Sequence, residues 1–278
     1  MIPPALYAVR VNMQIPAATV GAQRFILGEH GAARPPEPPP PNLWNRPLRP
    51  DERLVIPVTN PPALVEAQLQ SLPFFPLPGL VFFPDTRLPL HIFEPRYREM
   101  ISWCIAQGSP LGVVMIRPGF ERDQPRDPPV LTVLGVGQIV RHQRLADGRY
   151  NIVLQGVSRA KIITELPSTH AFRLGRCELW DDAPAPSPDL VVRQVQSLRA
   201  ITSTLAQRWP AAAPTLSALL TEAQTPSALI NGLASVAFAE PIERQSALEC
   251  ERLDQRGQLV LDRMLDLLAQ NSVEVADA

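Results

Sequence analysis

Few residues in this 278-residue chain have the type and spacing that chemistry requires. Lys161 is the sole lysine, and the other 25 of the 26 basic residues are arginines. A phosphate-cradling Gly-rich loop needs a lysine behind it, but Lys161 lies between Ala160 and Ile162 with no such loop nearby. A Ser–Lys peptidase dyad would have to use the same lysine, in a predicted strand among apolar residues, so neither chemistry is expected. The four histidines, His30, His91, His142 and His170, have no close pairing of the H-x-x-x-H kind. Cys104, Cys177 and Cys250 are far apart and odd in number, which suits neither a zinc ribbon nor a disulfide framework. They read as small apolar packing residues in a reducing compartment. No catalytic residue, metal or cofactor is expected.

What remains is binding. His91, three residues before Glu94 and flanked by Leu90 and Ile92, is either a ligand or proton carrier or, the favoured reading, a buried or half-buried ring. In that second reading its nitrogens tie the strand end to backbone or carboxylate partners. Glu94, Arg96 and Arg98 either grip a peptide terminus or carboxylate, or form an ion pair that fixes a strand-to-helix junction, the preferred reading. Pro95 and Tyr97 read as structural, the latter as core. Phe74, Phe75, Phe82 and Phe83 pose a separate question. Neighbouring side chains of a strand face opposite sides, so each Phe–Phe pair should send one ring in and one out. The outward rings either meet in an apolar interaction patch or are covered by other parts of the chain. The protein-binding candidates are therefore Phe74, Phe75, Phe82, Phe83, Glu94 and Arg96.

The elements that position these residues begin late in the chain. Residues 1–70 hold 14 of the 33 prolines, including a run at 35–41 that favours extended polyproline II. No pattern there buries a face, so the segment is expected to be a disordered arm or sequence upstream of the true start. Order should begin near Val65 or Leu72. Residues 72–75 form an apolar run stopped by a turn at 76–79, and 80–83 form a second run ended by Pro84 and Asp85. Residues 87–93 alternate, with Leu88, Leu90 and Ile92 on one face. Prolines beside strands mark edges, bends and strand starts, which suits a small curved barrel.

A helix follows, with Pro95 in its first turn, Glu94 and Glu99 near its N-terminus, and Gly108 as its stop. Tyr97, Met100, Ile101, Cys104 and Ile105 make its apolar stripe. Strands are expected at 111–116 and 130–145, the latter bent at Gly135 and Gly137. Asp147 and Gly148 signal a hairpin. Strand 150–154 is expected to break at Gly156 and resume over 157–166, and a last strand covers 171–180. Residues 181–188 read as a linker, after which the period becomes helical from Leu190 to Leu268. Pro210, Pro214, Pro226 and Pro241 separate the helices. The expected class is α+β: a β-barrel with one helix over 71–181, a helical subdomain over 189–270, and a tail over 271–278.

Apolar residues at 45% and charged residues at 19% are ordinary for a globular protein, and a net charge of −1 argues against nucleic-acid or membrane-surface binding. No apolar run reaches the ~18 residues of a membrane span, and residues 1–25 show no basic start followed by an apolar stretch, so no secretory signal and a cytoplasmic location are expected. One lysine beside abundant Ala and Pro reads as a GC-rich coding bias of bacterial type.

The run LPFFPLPGLVFFPDTRLPLHIFEPRYREMI at 72–101 resembles the opening of the N-terminal substrate-binding domain of Lon proteases. The likeness continues through VGQIVRHQRLADGRYNIVLQGVSRAKI at 136–162 and EPIERQSALECERLDQRGQLVLDRMLDLL at 240–268, covering about 72–270. The resemblance implies a compact PUA-like β-barrel followed by a helical bundle, without the ATPase and peptidase domains. It implies a non-catalytic protein that recognises unfolded or exposed apolar segments as an adaptor or holdase. The implied partners are protein substrates or unfolded clients, with a separate Lon protease as a further candidate. The alternative is an RNA-binding module, since PUA-like barrels in other proteins bind RNA, but no basic stripe supports it. A small-molecule enzyme is the third reading, disfavoured by the lack of clustered polar groups.

Overall fold

The computed structural model describes residues 66–120 and 127–274. Expectations for the arm before residue 66, for His30 and for the end of the tail lie outside the described residues. A 3-10 turn, Glu66–Ser71, comes first and buries Leu69, so five residues assigned to the arm belong to the fold. Six strands follow: β1 (Leu72–Leu77), β2 (Arg87–Ile92), β3 (Leu111–Met115), β4 (Val133–Arg144), β5 (Tyr150–Leu166) and β6 (Arg173–Leu179). Helix α1 (Pro95–Gln107) lies between β2 and β3. Five helices close the chain: α2 (Pro188–Arg208), α3 (Ala213–Glu222), α4 (Pro226–Ala237), α5 (Pro241–Glu249) and α6 (Leu253–Glu274). Helix α6 thus runs four residues into the expected tail.

The sheet order is β2-β5-β4-β3-β1-β6, and β6 pairs back onto β5 to close a barrel. Long β5 makes closure possible: residues 150–155 pair with β2, while residues 160–166 pair with β6. Register shifts at Val136/Gly137 and Ile139/Arg141 bend β4, as the glycine pair suggested. Two expectations fail in instructive ways. The chain does not turn at Pro76, because β1 runs to Leu77 in parallel with β3 while its other side pairs with β6. That partner is 38 residues away (Phe74 opposite Gly112), beyond the reach of local pattern. Nor does Gly156 break β5. The segment 80–86 crosses the strand there, with the Asp85 N–H donating to the Gly156 carbonyl and the Gly156 N–H donating to the Thr86 carbonyl. A Cβ on Gly156 would collide with the Phe83 carbonyl, so the glycine serves close approach.

Segment 80–86 is therefore a wedge between barrel and helices rather than a strand of its own. Phe82 points into the barrel core with Phe75, Leu88, Leu90 and Ile152. Phe83 points the other way, into the helical core with Leu229, Leu233 and Leu248. Phe74 lies in a third cluster with Leu69, Leu134 and Cys177. All four phenylalanines are buried, at 3% exposure or less, so no apolar patch of outward rings exists. Each outward ring has found cover, because a barrel packed on helices offers apolar partners on both sides of its wall.

Charge locks the two parts together. Arg159 of β5 is 3% exposed and donates to the carbonyls of Leu248 (2.5 Å) and Cys250 (2.6 Å). Arg256 of α6 is fully buried and donates to the Ala247 carbonyl and Asn231 Oδ1, both at 3.0 Å. Both guanidiniums converge on Asp182 Oδ1, at 2.6 and 2.7 Å. Burial, with Arg256 beside it, brings the Arg159 pKa down to about 10, and Asp182 opposes that shift. Asp182 lies in the stretch read as a linker. Removing it would leave two buried cations facing each other, so Asp182→Ala should cost about 3 kcal/mol or more in urea unfolding. A loss below about 1 kcal/mol, as for a surface ion pair, would refute the role given to this carboxylate.

Candidate functional site

The residues singled out by sequence meet where β2 ends and α1 begins. Alternation in β2 buries Leu88, Leu90 and Ile92 and turns Arg87, Pro89 and His91 outward. Pro95 starts α1 at once, with Glu94 as its N-cap, and Gly108 ends it in the left-handed region at φ 61°. The first turn of α1 brings Tyr97 back over β1, where its ring lies 4.5 Å from that of Phe75 at 60°. The turn at Asp147 and Gly148 (φ 81°) returns the chain into β5 and delivers Arg149 and Asn151 beside His91.

The His91 ring is held at both nitrogens. Nδ1 lies 2.7 Å from Asn151 Oδ1, and Arg149 Nη1 lies 3.3 Å from Nε2. A guanidinium only donates, so Nε2 accepts and the proton sits on Nδ1, donated to Asn151. The ring is half-buried as expected, but its partners are an amide and a guanidinium rather than backbone or carboxylate. Arg149 in turn grips Asp147 Oδ2 at 2.6 Å, which holds the Asp147 carboxyl below its usual range. Glu94 and Arg96 form the junction ion pair at 3.0 Å, and the Arg96 guanidinium covers the Tyr97 ring at 4.5 Å. Arg98 reaches over the hairpin at Gly148. Burial pushes the Tyr97 phenol up to about 12, with Arg96 opposing the shift and Glu94 adding to it.

Between these groups is a small recess of about 10 Å³, the space of one water-sized sphere, walled by Phe75, Leu77, Leu90, His91, Phe93 and Tyr97. The structure thus unites Phe75, His91, Glu94, Pro95, Arg96 and Tyr97, and leaves Phe74, Phe82 and Phe83 in the interior. Sequence reasoning missed Phe93, which stacks on His91 at 6.3 Å, and missed Arg149 and Asn151. Only the hairpin signal at Asp147 and Gly148 pointed to the strand pairing that delivers them.

Among the described residues no three His, Cys, Asp or Glu side chains could hold a metal ion. Lys161 stacks on Trp180 at 4.8 Å, away from the corner. Burial pushes the Cys104 and Cys177 thiols up to about 12, the opposite of nucleophile activation. Among the described residues no helix is long and apolar enough to cross a membrane.

Residues 71–266 match the family model described as the ATP-dependent protease La (LON) substrate-binding domain. The Lon protease of Anaeromyxobacter dehalogenans is 26% identical over 210 residues, which are 75% of this chain and 25% of that protein. Lon protease 2 of Myxococcus xanthus is 26% identical over 204 residues, 73% of this chain and 24% of that one. The chain therefore spans about a quarter of the length of these relatives. The solved N-terminal domain of Mycobacterium avium complex Lon protease superposes with a TM-score of 0.55 at 17% identity, covering 71% of this chain and 99% of that one. That likeness is one of fold.

Tyr97 supplies a check on the corner's packing. Its folded pKa is raised, so above pH 10 the unfolded chain loses a proton that the folded chain keeps, and stability should fall from pH 10 through about 12. Tyr97→Phe should leave stability at pH 7 within about 0.5 kcal/mol of the parent and remove that part of the alkaline loss. Phenolate absorbance that rises with a midpoint near pH 10 for every tyrosine of the folded protein would contradict the burial described.

Proposed function

The chain belongs to the LON substrate-binding domain family, and on that premise we propose that it recognises unfolded or exposed apolar protein segments at the β2–α1 corner, without catalysis of its own. The observation that carries this reading is the recess itself. It sets an apolar floor (Phe75, Leu77, Leu90, Tyr97) beside fixed polar groups (His91, Glu94, Arg149), the combination that binding sites use for grip and orientation. Rigidity adds to the case. Both His91 nitrogens, the Arg149 guanidinium and the Glu94–Arg96 pair are held by protein partners, so little side-chain freedom is lost on binding. The role is that of an adaptor or a holdase, and a separate Lon protease is the natural recipient of captured clients.

A reduced, carboxymethylated and therefore permanently unfolded protein, fluorescently labelled, tests this by anisotropy. The parent chain should bind it, and the double change Phe93→Ser with Arg149→Ser should weaken binding about tenfold with circular dichroism unchanged. Equal binding by parent and variant would move the site elsewhere. A parent chain that ignores the client but binds RNA with steep salt dependence would overturn the reading.

A further inference from the structure

The strand that walls the recess has an edge with no strand paired to it among the described residues. Three observations fix which main-chain groups of β2 face outward. The Gly156 N–H donates to the Thr86 carbonyl, so hydrogen-bonded pairs with β5 recur every second residue from there: Leu88 with Leu154, Leu90 with Ile152, Ile92 with Tyr150. On the other side of β5, the Leu145 N–H donates to the Arg149 carbonyl, which assigns Arg149, Asn151 and Val153 to β4 and leaves the even residues for β2. Pro89, which has no N–H, falls on the outward set, where a missing donor breaks no ladder bond. The outward edge therefore offers the N–H and C=O of Arg87 and His91 and the C=O of Pro89. Among the described residues β2 pairs with β5 alone, and no strand lies along this edge.

The recess opens beside this edge. Its walls come from β1 (Phe75, Leu77) and from β2 (Leu90, Ile92), two strands that share no hydrogen bonds, so it occupies the gap between them. Around it, β2, the first turn of α1 and the β4–β5 turn bear the guanidiniums of Arg87, Arg96, Arg98 and Arg149 against the carboxylates of Glu94 and Asp147. On a chain of net charge −1 this corner is locally cationic.

Resting on the peptide-recognition reading above, we propose that the ligand is bound as an extended strand added to the outer edge of β2, with one small apolar side chain packed over the mouth of the recess and a carboxylate on the Arg87 or Arg149 rim. The main chain of such a ligand supplies partners for the outward groups of Arg87, Pro89 and His91 that have none among the described residues. Recognition through the backbone makes the site tolerant of sequence, as a binder of unfolded segments requires. Pro89 limits the edge to two full hydrogen-bond exchanges, at Arg87 and His91. That keeps the edge from acting as an open template for aggregation.

Alternation gives the proposal a signature. An added strand turns every second N–H toward β2, so backbone N-methylation of one parity removes hydrogen bonds and of the other parity does not. The probe is a labelled seven-residue peptide of alternating valine and threonine ending in glutamate, titrated into the full chain. N-methylation at two positions of one parity should weaken binding about tenfold or more, and the same number at the other parity should change it less than about twofold. Binding of the unfolded client without binding of this peptide, or with no difference between the two parities, would overturn strand addition and leave the peptide-recognition reading standing. Failure of both client and peptide to bind would remove that reading and this inference with it. Displacement of the peptide by single-stranded RNA, with no parity effect, would reassign the cationic corner to nucleic acid.

Discussion

The arrangement of this protein depends on one carboxylate shared by two buried guanidiniums. Asp182 stands where the chain leaves the barrel, Arg159 comes from β5, and Arg256 comes from α6. Arg256 places all five donors on Asp182, Asn231 and the Ala247 and Cys250 carbonyls, and Arg159 gives two to the Leu248 and Cys250 carbonyls, which helps make the buried charges tolerable. Asn231 extends the network by reaching Asp85 at 3.5 Å, on the wedge that carries Phe82 and Phe83. Gln245 adds a bond from α5 to the Val133 carbonyl at 2.9 Å, and Arg244 adds one to the Gly79 carbonyl at 3.3 Å. Barrel and helices thus meet through directional bonds at several points, and the apolar contacts around Phe83 fill the space those bonds define.

The same long strand serves the joint and the candidate site. Arg149, just before β5, and Arg159, within it, are ten residues apart, up to about 33 Å in an extended chain. The corner can therefore contact a ligand without disturbing the charge network. Its own side chains are fixed by a separate, smaller set of interactions centred on His91.

Much of this was legible in the sequence, and the exceptions share a cause. The limits of α1, its stripe from Tyr97 to Cys104, the alternation of Leu88, Leu90 and Ile92, and the hairpin at Gly148 are local patterns, and all appear in the structure. What sequence could not supply is partnership at a distance. Pro76 looks like a turn until β3 pairs beside it, and Gly156 looks like a break until the Phe83 backbone crosses it. Asp182 looks like solvated linker until two arginines from elsewhere converge on it. Arginine itself misleads, because the type is mostly exposed, and here Arg159, Arg244 and Arg256 are core. At the site, Glu94, Arg96 and His91 were visible as candidates, whereas Phe93, Arg149 and Asn151 became candidates only when β2 and β5 were paired.

The central claim, that one corner of the barrel receives polypeptide, is tested most directly by hydrogen–deuterium exchange of the full chain with and without a permanently unfolded client. The account predicts slower exchange over residues 87–97 and 145–151 on binding, with helices α2 to α6 unchanged. Protection confined to those helices, or none at the corner under conditions where the client is bound, would contradict it.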